Sequence, residues 1–217
     1  MIQTINLIKT FPNSKTPVLK SIDLKIETGE FVSLVGRSGS GKSTLLYIIS
    51  TLDRATSGEV YYDKQNVTEI PKAEIYTLRN KKIGFVFQFH YLIQELTAIE
   101  NVLLPARKAR ELEERRPLAM NLLKEVGLEG LEDRFPSELS GGEQQRVAIA
   151  RAMIMEPTYI FADEPTGNLD SINGLKIIEL FEKINRDKGT TIIYVTHDKE
   201  FAAKARRQIT LVDGNLS

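Results

Sequence analysis

Gly36-Arg37-Ser38-Gly39-Ser40-Gly41-Lys42-Ser43 reads G-x-x-x-x-G-K-S, the pattern of a phosphate-binding loop. Its glycines let backbone N–H groups turn inward around a polyphosphate. Lys42 is placed to reach the β- and γ-phosphates, and the Ser43 hydroxyl to hold Mg²⁺. The flanks agree. Phe31-Val32-Ser33-Leu34-Val35 is a short apolar run of strand formers, and Thr44-Leu45-Leu46-Tyr47-Ile48-Ile49 looks like the start of a buried helix. A strand feeding a glycine loop and then a helix N-terminus is the geometry that anion binding needs.

Outward from this loop, β-type runs recur at residues 22–26, 31–35, 58–62, 83–87, 158–162, 190–195 and 208–212. Those at 31, 158 and 190 are apolar almost throughout, as suits central strands covered on both faces. Between the later ones, Ile172, Leu175, Ile178, Phe181 and Ile184 are expected to form one apolar helical stripe, ended by Lys188-Gly189. Strands alternating with helices predict an α/β core with mostly parallel pairing. From about residue 88 to 157 no strand is legible, and residues 97–107, 111–126 and 143–155 read as helices. The expectation is a single domain over 1–217, with a core of about 1–87 and 158–217 and an inserted helical lobe of about 88–157.

The bulk composition narrows the class. The 217 residues carry 29 basic and 29 acidic side chains, which argues against broad nucleic-acid binding. There is no cysteine, hence no disulfide or thiol chemistry. Met1-Ile2-Gln3-Thr4-Ile5-Asn6 lacks a signal-peptide layout, and no apolar run approaches the roughly 20 residues of a membrane helix. Any membrane role therefore needs another chain to cross the bilayer.

Two further segments carry chemistry. Tyr159-Ile160-Phe161-Ala162-Asp163-Glu164 is an apolar strand ending in two carboxylates. Beside a phosphate loop, such a strand end is where an Mg²⁺-organising aspartate belongs, so Asp163 is the candidate metal partner, directly or through water. Glu164 is then free to polarise a water in line with the γ-phosphate. In Leu139-Ser140-Gly141-Gly142-Glu143-Gln144-Gln145-Arg146, Ser140 and Glu143 form an S-x-x-E capping box. Gly141 and Gly142 expose N–H groups at the positive end of that helix, a surface suited to a second anion.

The string LSGGEQQRVAIARA, from Leu139 to Ala152, resembles the signature segment of ATP-binding cassette (ABC) ATPases. The phosphate loop, the signature and the Phe161–Pro165 segment stand in that family's order and spacing, and the resemblance spans nearly the whole chain. Residues 164–170 and 83–88 resemble most closely the branch of bacterial lipoprotein-releasing, macrolide-export and cell-division ATPases. The resemblance implies a RecA-like P-loop NTPase core with a mostly parallel sheet, an antiparallel β edge and an inserted helical lobe. It also implies ATP and Mg²⁺ as ligands. Two copies are expected to meet head to tail, each ATP lying on Gly36, Arg37, Ser38, Gly39, Ser40, Gly41, Lys42, Ser43 and Thr44 of one chain and meeting Ser140, Gly141 and Gly142 of the other. Gln88 matches the glutamine that touches Mg²⁺ and the attacking water. Leu169-Asp170 matches the loop that crosses the dimer interface, His197 the histidine at the γ-phosphate, and Phe11 the aromatic that stacks on adenine. Glu143 and Phe11 depart from the glutamine and tyrosine common at these positions; the carboxylate suits the cap, and stacking needs only a ring face.

A separate integral membrane permease is the implied partner, docking near residues 89–96 and placing this chain on the cytoplasmic face of the cell membrane. Transport is the first reading. A non-transport motor controlling an extracytoplasmic enzyme, a small-molecule kinase with the same loop, and a soluble ATPase acting on DNA or the ribosome are the rivals. The kinase does not explain LSGGEQQR, and the soluble class usually carries a coiled-coil insertion or two cassettes.

Overall fold

Residues 31–35 do form a strand, and Gly41 does hand over to a helix at Lys42. The computed structural model describes residues 1–12 and 14–217. The chain runs through β1 (Ile2–Lys9), β2 (Leu19–Ile26), β3 (Phe31–Val35), α1 (Lys42–Ile49), β4 (Ser57–Tyr62), β5 (Gln65–Asn66), α2 (Lys72–Lys82) and β6 (Ile83–Phe87). Three α-helices follow, α3 (Ala98–Ala109), α4 (Leu112–Glu125) and α5 (Gly141–Met153), with a single 3-10 turn at Pro136–Glu138 before α5. Then come β7 (Tyr159–Asp163), α6 (Ser171–Lys188), β8 (Thr191–Val195), α7 (Lys199–Ala203), β9 (Arg207–Val212) and β10 (Asn215–Leu216).

Six strands form one sheet in the order β10-β9-β3-β8-β7-β6, parallel from β9 to β6 with only β10 antiparallel. The antiparallel portion of the molecule is more than an edge. β2-β1-β4-β5 make a second sheet of their own, and Lys20 N–H donates to the Gly214 carbonyl at 2.8 Å where the two sheets meet. The parallel strands are covered on both faces, and successive residues alternate between two cores. Phe31, Ile160, Ala162, Ile192 and Tyr194 pack with the helices of the 98–153 region and α6. Val32, Leu34, Phe161, Ile193 and Val195 pack with α1 and the antiparallel sheet. Each such isoleucine or valine, fully removed from water, contributes about 1.5–3 kcal/mol.

Three local expectations shift. β1 is not among the strands legible in the sequence because its alternation is broken: Asn6 takes φ 47, and the pairing with β2 changes register on either side of Leu7. α2 is mostly polar, fully buries only Ile75 and half-buries Leu78, too short a stripe to read. Ile172 is 71% exposed, against the expected five-residue stripe. A step of three residues advances 300° around a helix, so the row slides off one face within a few turns. The buried face of α6 is instead Gly174, Ile177, Ile178, Phe181 and Ile184.

Gly84 shows how closely β6 lies on α5. A methyl group there would run into the Ala152 carbonyl, which is backbone and cannot swing aside. Gly84→Ala is expected to cost about 1–3 kcal/mol and to lower the melting temperature by roughly 3–10 °C. An unchanged melting curve in calorimetry would show that α5 can simply move away.

Candidate functional site

Parallel register assembles the site. Leu34 of β3 pairs with Val195 of β8, Val195 with Asp163 of β7, and Asp163 with Phe87 of β6. The residues just past these strand ends, Gly36, His197, Glu164 and Gln88, therefore come out along one sheet edge. Such an edge, at the carboxyl ends of parallel strands, is where ligands of open α/β sheets bind.

The loop itself depends on glycine at two points. Gly36 takes φ 148 and Gly41 φ 102, and a Cβ on Gly41 would stand 2.8 Å from Leu19 Cδ2. Lys42 is 8% exposed and its Nζ donates to the carbonyls of Gly36 at 3.0 Å and Arg37 at 2.9 Å. The ammonium is thus folded back over the loop's own carbonyls. Ser40 Oγ, also within the loop, is buried without a hydrogen-bond partner. Gly36, Arg37, Thr196, His197 and Asp198 line a common cavity of about 500 Å³.

Ser43 and Asp163, 120 positions apart, are joined directly: Ser43 Oγ donates to Asp163 Oδ1 at 2.8 Å. From the next turn of α1, the Tyr47 hydroxyl donates to Asp163 Oδ2 at 2.6 Å. Burial, and then the hydrogen bond to Asp163, push the Tyr47 phenol well above its ordinary range, so it stays a donor. Glu164 sits at φ 47, which a non-glycine residue seldom adopts. Its N–H donates to the Val195 carbonyl at 3.1 Å, and its Oε2 lies 2.9 Å from His197 Nδ1. The Glu164 side chain is 19% exposed and that of His197 73%, so the carboxylate is shielded while the imidazole reaches outward.

Gln88 is held by Asn168 rather than by this cluster. Its Nε2 donates to Asn168 Oδ1 at 3.1 Å and Asn168 Nδ2 returns a bond to the Gln88 carbonyl at 3.1 Å. No hydrogen bond links it to Ser43 or Asp163 among the described residues. Phe11 is 41% exposed, with Lys9 Nζ 5.0 Å from the centre of its ring.

The signature forms the start of α5. Ser140 N–H and Oγ–H both donate to Glu143 Oε2 at 2.7 Å, while Glu143 N–H donates back to Ser140 Oγ at 3.4 Å. The Ser140 hydroxyl and N–H hold the Glu143 carboxyl below its usual range. Gly141 and Gly142 face Leu169 and Asn173. Asp170 caps α6, accepting from Asn173 N–H at 2.9 Å and Asn173 Nδ2 at 2.6 Å, which keeps its carboxyl below the usual range. No hydrogen bond joins Ser140, Gly141 or Gly142 to residues 36–44 of the same chain among the described residues. The structure therefore brings Gly36–Ser43, Asp163, Glu164 and His197 together and leaves the signature apart from them.

The donors at Ser43 and Asp163 are hard oxygens. Among the described residues, no group of three or more His, Cys, Asp or Glu side chains is placed to cage a metal. A site with one or two protein oxygens, completed by phosphate and water, is the kind that fits Mg²⁺. Sequence reasoning missed Tyr47, whose aromatic ring reads as ordinary helix core, and Asn168. It also missed Gln145, a fully buried side chain that donates to the Pro165 carbonyl at 2.7 Å and so ties α5 to the segment after Glu164.

Comparison with known proteins places the chain in a family. The family model described as ABC transporter matches residues 19–167. The lipoprotein-releasing system ATP-binding protein LolD of Leptospira interrogans (serogroup Icterohaemorrhagiae, serovar Lai) is 54% identical over 215 residues, 99% of this chain and 90% of that protein. The protein of the same name from Aquifex aeolicus is 52% identical over 200 residues, 92% of this chain and 89% of that protein. A solved ATP-binding cassette, in a dimeric post-hydrolysis state bound to ADP and Pi, has a TM-score of 0.90 at 45% identity, covering 100% of this chain and 97% of that one. Residue order, backbone path and strand-end geometry converge: the chain belongs to the ABC transporter family.

Proposed function

We propose that this chain is the ATP-hydrolysing motor of a bacterial lipoprotein-releasing transporter, resting on the cytoplasmic side of the membrane beneath a separate permease. Among the described residues no helix is long and apolar enough to cross a membrane, so the membrane-spanning part falls to that partner. The relatives named as lipoprotein-releasing ATPases support the substrate class. The observation that carries the motor reading is the separation just described. A phosphate end in which Ser43 bonds Asp163 and Glu164 meets His197 stands apart from a signature helix start that packs beside Leu169 and Asn173 and, among the described residues, shares no hydrogen bond with the loop.

The chemistry follows from placement. Backbone N–H groups of residues 36–44 grip the polyphosphate, and Lys42 exchanges its two loop carbonyls for phosphate oxygens. Ser43 and Asp163, with Gln88 swinging from Asn168, would hold Mg²⁺, which neutralises charge building on the phosphates. Phe11 offers its exposed ring to the adenine. Glu164 takes the proton of a water whose oxygen bonds to the γ-phosphorus, while the bond from that phosphorus to the ADP bridging oxygen breaks. In the tautomer with a proton on Nδ1, His197 donates to Glu164 Oε2 and orients it. A second chain, placed head to tail, brings Ser140, Gly141 and Gly142 to the γ-phosphate and its Asp170 loop to the interface. Closure supplies donors at the helix N-terminus and excludes water. Reopening after hydrolysis moves the permease.

The purified chain should release inorganic phosphate from ATP with no acceptor present. Reconstituted with its permease in liposomes, it should free a lipid-anchored protein from the bilayer only when ATP is hydrolysed. A complex that turns over ATP and leaves the lipoprotein in place would refute the substrate class while leaving the ATPase standing.

A further inference from the structure

Tyr47 has a place in the site that no motif assigns. It lies four residues beyond Ser43 on α1, so the two hydroxyls stand on the same helix face one turn apart. Between them they take both oxygens of one carboxylate, Ser43 on Oδ1 and Tyr47 on Oδ2. Among the described residues they are the two side-chain donors to Asp163. The Tyr47 bond, at 2.6 Å, has the length of a charge-assisted O–H···O⁻ contact.

The ring is as firmly placed as the hydroxyl. Tyr47 lies 5.9 Å from Phe85, which packs 4.2 Å from Phe87 and 6.4 Å from Phe161. Phe87 in turn meets Tyr91 edge-on at 5.0 Å. A phenol seated in this row has little freedom, so its hydroxyl reaches Asp163 at small entropic cost.

We propose that Tyr47 is a positioning residue for the metal-binding carboxylate: it pins Asp163 Oδ2 and so sets the orientation in which that carboxylate, beside Ser43, would hold Mg²⁺. This rests on the reading of Asp163 as the Mg²⁺ partner. With Mg²⁺ bound, Ser43 would give its oxygen to the metal, and Tyr47 would remain as the donor that keeps the carboxylate from rotating. The hydroxyl bonds Asp163, and its effect on the reaction passes through that carboxylate.

The test is a Mg²⁺ titration of the full chain with a fluorescent, non-hydrolysable ATP analogue, run beside the same binding measurement in EDTA. Tyr47→Phe keeps the ring on Phe85 and removes only the hydroxyl. The Mg²⁺ concentration at half-saturation should rise about three- to tenfold, the range expected when water partly replaces a hydrogen bond to a charged group. Metal-free binding should change by less than about twofold. In an Asp163→Asn background, which itself should raise the Mg²⁺ midpoint, Tyr47→Phe should add nothing further. An unchanged midpoint in Tyr47→Phe overturns the proposal. So does an equal loss with and without metal, which marks a packing role. If Asp163→Asn leaves the midpoint where it was, the metal reading itself fails and Tyr47 falls with it.

Discussion

Glu164→Gln is expected to reduce ATP turnover by about 10²- to 10⁴-fold, the usual contribution of a positioned general base. Nucleotide affinity should be intact. The substitution is isosteric, and the amide still reaches His197 Nδ1, which lies 2.9 Å from the present carboxylate. The strained backbone at φ 47 is held by the Glu164 N–H bond to Val195, which the change does not touch. Folding and binding should therefore survive while proton acceptance is lost. Because closure precedes chemistry in the proposed cycle, the variant should accumulate as an ATP-loaded dimer. Phosphate release and light scattering with ATP present measure the two effects. Turnover at the normal rate would sink the assignment of Glu164 as base, and a slow variant that stays monomeric would sink the idea that hydrolysis reopens a closed pair.

Ser140→Arg is expected to abolish hydrolysis while sparing nucleotide binding by the same chain. No hydrogen bond connects Ser140 to residues 36–44 among the described residues, so the phosphate loop of the variant stays whole. What changes is the face offered to a second protomer, where a long cation replaces a small hydroxyl beside the exposed helix N-terminus. Losing the Ser140 hydroxyl while the arginine blocks approach of the Gly141 and Gly142 N–H groups should cost more than the roughly 10²–10³ in rate of one missing donor. The helix loses the two capping bonds made by the Ser140 hydroxyl with Glu143, at a cost of about 0.5–2 kcal/mol, and keeps the backbone N–H bond to the Glu143 carboxylate. A melting shift of a few degrees should accompany the loss without unfolding the chain. Equilibrium binding of a fluorescent nucleotide, set beside phosphate release, decides the matter. Loss of binding would place the signature in the same site as the loop and remove the reason for a sandwich.

Both positions are legible in the amino-acid order because the chemistry there is local. Ser140 and Glu143 announce a helix start through their spacing, and Glu164 announces itself as one of a carboxylate pair at the end of an apolar run. The same holds for the phosphate loop, where positive φ at Gly36 and Gly41 demands glycine. β1 and α2 escape for the opposite reason. β1 hides its buried residues behind bulges, and α2 has too little apolar surface to show a period. Ile172 illustrates a wrong period taken for a right one, and its exposure follows from helix geometry alone. Tyr47 is silent in the sequence because its ring looks like core and its hydroxyl finds meaning only beside Asp163.

By itself the sequence determined the α/β class, the phosphate loop, the two carboxylates and the capped signature helix. Each is written in a few neighbouring residues whose backbone angles or capping bonds admit few alternatives. Only the tertiary structure decided which of these elements meet. The strand order β3-β8-β7-β6 and its parallel register bring Ser43 to Asp163 and Glu164 to His197, and they leave Gln88 with Asn168 and the signature with the start of α6. Those pairings are long-range. They depend on which crossover places each strand beside which neighbour, and that is settled by packing the whole core rather than by any local pattern.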